Sequence, residues 1–110
     1  MDVRVRSSDG SNYYVVTCIC DEGQVRLHCS CPAGEFGKLC RHKDAVLAGD
    51  FSVLVGVEDR QAFDSVQSLL PKSQVPDLLR RIAALELQLT EAKRALTRAK
   101  RDLEAALRLR

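Results

Sequence analysis

Tryptophan is absent from this 110-residue chain, and three Phe and two Tyr are its whole aromatic content. That leaves little aromatic mass for a large core or for a surface that stacks bases. A strong excess of either charge is lacking too, since 17 Lys and Arg stand against 15 Asp and Glu, a formal net charge of +2. No apolar run approaches the ~18 residues of a membrane span, so no contact with the membrane interior is expected. The opening MDVRVRSSDG has no apolar stretch behind its positive charges and no small-residue cleavage site, so no secretory signal is expected either. Five cysteines without such a signal, and in odd number, argue against a disulfide framework. They point to metal ligation or thiol chemistry in a reducing, cytoplasmic compartment. With 45% apolar residues the chain is not disordered, and its length allows one domain, or a very small one with an appendage.

The residues that are present are unevenly spread. Every cysteine lies between positions 18 and 40. Residues 1–76 hold 8 Lys/Arg and 10 Asp/Glu, a net of −2, whereas residues 77–110 hold 9 and 5, a net of +4. An acidic head and a basic tail follow. In the head, Val3 and Val5, then Tyr14 and Val16, alternate with polar residues on either side of SSDGSN, which predicts a hairpin. A second hairpin with Glu22-Gly23 at its tip sets Cys20 opposite Val25, Cys18 opposite Leu27 and Val16 opposite Cys29. The period of two then places Tyr14, Val16, Cys18, Cys20, Val25, Leu27, Cys29 and Cys31 on one face, with Ile19, Arg26 and His28 on the other. Residues 41–48 read as two helical turns stopped by Gly49. The run 51–57 reads as either a strand or a buried connector. Residues 58–70 carry Ala62, Phe63, Val66, Leu69 and Leu70 at helical spacing, and 71–76, with two prolines, reads as a linker.

Beyond Pro76, strict 3-4 spacing joins Leu78, Ile82, Leu85, Leu89, Ala92, Leu96, Ala99, Leu103 and Ala106. Sustained over about four heptads without Gly or Pro, this predicts a coiled-coil helix over 77–110, roughly 50 Å long. Such a seam needs a partner, either a second copy or a larger protein. Its alanines suit close helix approach and are compatible with an antiparallel pair, though the spacing itself does not fix the orientation.

The stretch HCSCPAGEFGKLCRH, 28–42, contains Cys29-x-Cys31 and, after eight residues, Cys40-x-His42. Three thiolates and one imidazole form a complete tetrahedral set for one structural zinc. On a strand, residues two apart point the same way, so Cys29 and Cys31 can grip one ion. Cys40 and His42 close the shell from a turn entering a helix, with Pro32, Gly34 and Gly37 folding the loop back. All four positions are filled, so no substrate site, and no catalytic residue, is expected at the metal.

These residues resemble the SWIM-type zinc finger, whose signature is C-x-C, a variable loop and C-x-H on a ββα module. Pro32, Arg41, the following AVLAG and the upstream NYYVV share the resemblance, which covers roughly residues 3–50. It implies an α+β fold: a zinc-stapled hairpin or meander with a short helix over 1–50. The apolar connector and amphipathic helix of 51–70, the 71–76 linker and the long coiled-coil helix lie outside the match. It also implies a DNA-binding or protein-interaction role.

Cys18 and Cys20 form a second C-x-C without a partner pair. They read as small buried hydrophobes, with ligand competition or a redox role as the alternatives. His28 reads as exposed. Lys93, Arg94, Arg98, Lys100 and Arg101 read as a solvated helix face laced by pairs such as Arg98–Asp102 and Glu104–Arg108, with phosphate contact as the alternative. Lys38, Arg41 and Lys43 are the corresponding candidates in the finger. Over residues 13–50, Arg26 and those three stand against Asp21, Glu22, Glu35, Asp44 and Asp50, and three thiolates on Zn²⁺ add a further negative charge. That balance favours a non-catalytic adaptor for other proteins over a DNA-binding dimer, and a thiol enzyme comes last.

Overall fold

Alternating valines and two polar turns build the sheet. In the computed structural model, which describes residues 1–109, β1 (Asp2–Arg6), β2 (Tyr13–Asp21) and β3 (Gln24–Cys29) form an antiparallel meander with β2 central. In the first hairpin Val3 pairs with Val16 and Val5 with Tyr14, and in the second the register is the predicted one, Val16 with Cys29, Cys18 with Leu27 and Cys20 with Val25. The second turn is tight because Glu22 and Gly23 both take positive φ, +50° and +80°, the mirror-image turn that matches strand twist. One face of the sheet is buried through Val3, Val5, Val16, Cys18, Val25 and Cys29. Ile19, Arg26 and His28 are exposed on the other. Cys20 departs from the expected pattern. It lies on the inner-face register one pair from the tip of the hairpin and is exposed, although its cross-strand partner Val25 is buried.

Four helices follow: α1 (Pro32–Glu35), α2 (Arg41–Leu47), α3 (Arg60–Leu69) and α4 (Val75–Leu107). Two compact units result, Met1–Pro76 and Asp77–Arg110, together an α+β chain. Within the first unit, Val46 of α2 and Phe63, Val66 and Leu70 of the α3 region share one core with the sheet valines. The segments read from sequence as a finger, a connector and a linker therefore fold as one body. Residues 51–57 are not a regular strand. Asp50 accepts the Ser52 N–H at 3.1 Å and turns the chain into a 3-10 turn over Phe51–Val53. Leu54 then touches down as an isolated bridge to Val5. The 71–76 segment is anchored as well. The Gln74 side-chain amide accepts from the Val25 N–H at 3.0 Å and donates to the Val25 carbonyl at 2.7 Å, so it behaves as one more rung on the β3 edge.

A buried carboxylate ties the helical layer to the outer strand. Asp59, 5% exposed, accepts both Arg4 Nε and Nη2 at 3.1 Å, the Arg4 backbone N–H at 3.2 Å and the Gly56 N–H at 3.1 Å. Burial alone would raise its pKa, but these donors, Arg4 first, hold it below the usual carboxylate value. Glu58 reaches Arg4 from the solvent side.

In the second unit, every side chain from Asp77 to Leu109 is exposed. The apolar positions of α4 are among them, Leu78 at 49% and Leu103 at 59%. The ion pairs expected between Arg98 and Asp102 and between Glu104 and Arg108 are not formed. Among the described residues the pair on this helix is Asp77–Arg80, where a one-turn spacing at the helix start favours contact. No described helix is long and apolar enough to cross a membrane.

Removing the Asp59 carboxylate should destabilise the first unit by about 2 kcal/mol, because it takes the acceptor from the Arg4 and Gly56 backbone N–H groups and from Arg4 Nε, while Arg4 Nη2 keeps Glu58. Asp59→Ala should therefore unfold at lower urea than the parent. The same contact predicts the sign of the acid response. Asp59 titrates lower folded than unfolded, so as pH falls below about 4 the unfolded chain takes up the proton first and stability falls. Urea midpoints of parent and Asp59→Ala that decline equally over that range would contradict this assignment.

Candidate metal centre

Three thiols and an imidazole converge inside the first unit. The ligating atoms of Cys29, Cys31, Cys40 and His42 lie within 4.8 Å of one another, and all four residues are buried. Their positions follow from local structure. Cys29 closes β3 with its side chain on the inner face, and Cys31, also in extended conformation, points the same way two residues later. Cys31 then caps α1, its Sγ accepting the Gly34 N–H at 3.3 Å. Cys40 does the same for α2, accepting the Lys43 N–H at 3.4 Å. Each sulfur replaces the Ser or Asp oxygen that ordinarily satisfies a helix start. The PAGE segment, read from sequence as an irregular loop, is helical for this reason. The first turn of α2 then carries His42 inward.

The electrostatics suit a cation. Burial pushes the Cys29 thiol up to about 12. Burial acts in the same sense on Cys31, but the Gly34 N–H and the neighbouring thiols outweigh it, and Cys31 titrates below the usual thiol range. His42 is shifted down, first by burial and then by the Arg41 charge, so its ring is held neutral, as a ligand requires. Both of its ring nitrogens are buried and without a hydrogen-bond partner. Its neighbour is the Tyr14 ring, 4.9 Å away and tilted by 55°, which offers packing without satisfying a nitrogen. An imidazole in that condition is costly unless an ion takes one nitrogen. The residues fit a metal ion. A shallow depression of about 420 Å³ lies beside the cluster, bordered by Tyr14, Cys31, Cys40, Arg41 and His42.

The other candidate residues are dispersed. Cys18 is buried, its thiol raised by burial, while Cys20 is exposed, and neither belongs to the cluster. His28 is exposed, with Nε2 3.6 Å from Glu35. Lys38 and Arg41 are exposed, Arg41 donating to Ser8 Oγ at 2.6 Å. Lys43 does not fit the expected phosphate-contacting patch. It is 7% exposed, and its Nζ donates to the Lys38 carbonyl at 3.0 Å, closing the loop between the ligand pairs. An intraloop lysine bond of this kind has no signature in residue spacing. On α4, Lys93, Arg94, Arg98 and Arg101 share a shallow groove with Thr90 and Thr97. Lys100 is exposed on the same helix.

Comparison of the chain with protein-family models, with curated proteins and with solved structures finds no match.

Gly34 is the tightest point of the site. A Cβ there would stand 2.2 Å from the Cys29 carbonyl oxygen, so no larger residue fits without moving a ligand strand. Gly34→Ala is expected to lower metal affinity about tenfold or more, as other changes just outside a ligand shell do. Competition with a colorimetric chelator measures it, and unchanged affinity would remove Gly34 from the site's design.

Proposed function

We propose that this chain is a non-catalytic, zinc-binding adaptor. In this reading Cys29, Cys31, Cys40 and His42 hold one structural Zn²⁺ in a SWIM-like finger, and the long C-terminal helix supplies an oligomerisation or partner-docking seam. The observation that carries the metal assignment is the His42 ring, buried with both nitrogens unpartnered against three thiols. The donor set favours zinc over the hard cations, because thiolate and imidazole are soft or borderline ligands. Four protein donors complete a tetrahedral shell, which supports a structural role and leaves no coordination position for a substrate. Zinc bound there supplies a cross-link between β3 and α2, and no chemistry beyond that is required of it. The adaptor role rests on charge and exposure. The first unit has no excess of basic residues, while α4 exposes apolar side chains along its whole length.

A second reading is DNA contact by the basic row of α4, and the groove shared by Lys93, Arg94, Arg98 and Arg101 favours it. The two separate on salt dependence. Phosphate contact predicts a log–log slope that rises with each neutralised phosphate and falls when those four become Gln.

The metal test is direct. One zinc per chain is expected by native mass spectrometry. Chelation at neutral pH should abolish the sheet signal in circular dichroism while most helical signal, from α4, persists, because a unit this small has little core without its metal. Retention of the sheet in zinc-free protein would overturn the structural role.

A further inference from the structure

The apolar seam of α4 carries more information than its periodicity. Its six large side chains, Leu78, Ile82, Leu85, Leu89, Leu96 and Leu103, are each 42–59% exposed, so about half of every one is free to meet another helix. Between them sit Ala92, Ala99 and Ala106. Flanking the seam are Arg81 and Asp102 on one side and Glu86 and Lys93 on the other. These choices are not equivalent under the ways two copies can pair.

We infer that α4 pairs with α4 of a second copy, antiparallel, in one specific register. This deepens the reading of the helix as an oligomerisation seam and rests on it. In that register Leu78 packs against the partner's Leu103, Ile82 against the partner's Ala99, Leu85 against the partner's Leu96, and Leu89 against the partner's Ala92. Ala92 and Ala99 each face a large aliphatic residue, and these four layers fill evenly. The flanks agree. Arg81 meets the partner's Asp102 and Glu86 meets the partner's Lys93, and the two-fold axis repeats each pair. Four opposite-charge contacts result, with no like-charge contact. A slip of one heptad in one direction sets Lys93 against the partner's Lys93. A slip in the other sets Glu86 against the partner's Glu86. A parallel pair keeps the attraction of Arg81 for the partner's Glu86, but it stacks each alanine on its own copy and leaves three underfilled layers. Volume and charge therefore select the same arrangement, which also overlaps the helices along nearly their full 33 residues.

The test uses the full-length, zinc-loaded protein with a nitroxide on a ketone-bearing residue, which leaves the five cysteines untouched. Placed at Glu104, the label is expected to give a label-to-label distance of about 40 Å, since the two copies of that position lie 27 residues apart along the axis. A one-heptad slip changes this by about 10 Å, and a parallel pair brings the labels within about 20 Å. Either result overturns the register while leaving self-association intact. A monomer mass by light scattering at high concentration overturns both. Charge exchange gives an independent readout. Glu86→Lys is expected to weaken the dimer roughly tenfold, and adding Lys93→Glu in the same chain to restore it. Failure of that restoration also overturns the register.

Discussion

Two sulfur atoms set the course of the loop that carries the candidate ligands. The thiols of Cys31 and Cys40 each accept the backbone N–H three residues ahead, and in doing so start α1 and α2. Those helices carry the loop back over the sheet and bring His42 to the end of β3. The capping residues of both helices are therefore also members of the candidate ligand set. Gly34 admits the approach because a side chain there would collide with the Cys29 carbonyl. The site is built from local backbone hydrogen bonds, with the core valines beneath it as a floor.

The rest of the unit is fastened by other means. Asp59 gathers four donors from β1 and from its own turn, and Gln74 pairs with Val25 as if it were backbone. Arg4–Asp59 and Gln74–Val25 join residues 55 and 49 positions apart, and together with the core shared by Phe63, Val66 and Leu70 they fasten 51–76 onto 1–50. The core itself is made of small side chains, with five valines among its most deeply buried members. Such a core is thin, and cross-links of several kinds supplement it.

What could be read from the sequence was what obeys short-range rules. Alternation of Val3 and Val5 with their neighbours predicts the first hairpin, and the Glu-Gly tip predicts the second to the residue, because a one-residue slip would turn Cys29 and Val16 outward. Ligand spacing finds the metal cluster for the same reason, since Cys-x-Cys on extended chain can only point one way. The extent of α3 and the long helix followed from periodicity. Lys43 was misplaced because its burial depends on where the Lys38 carbonyl lies after the loop has folded. Cys20 was misplaced because periodicity assigns a face but not how far along the strand that face is covered. The Arg4–Asp59 and Gln74–Val25 contacts had no sequence signal, as each links residues chosen by tertiary approach.

The double use of Cys31 and Cys40 has a kinetic side. A ligand that is also a helix cap cannot swing away on its own, because its departure exposes a backbone donor and frays the turn behind it. Exchange of a metal held by this cluster would then be coupled to opening of the first turns of α1 and α2, which ties the lifetime of the ion to the local stability of those turns.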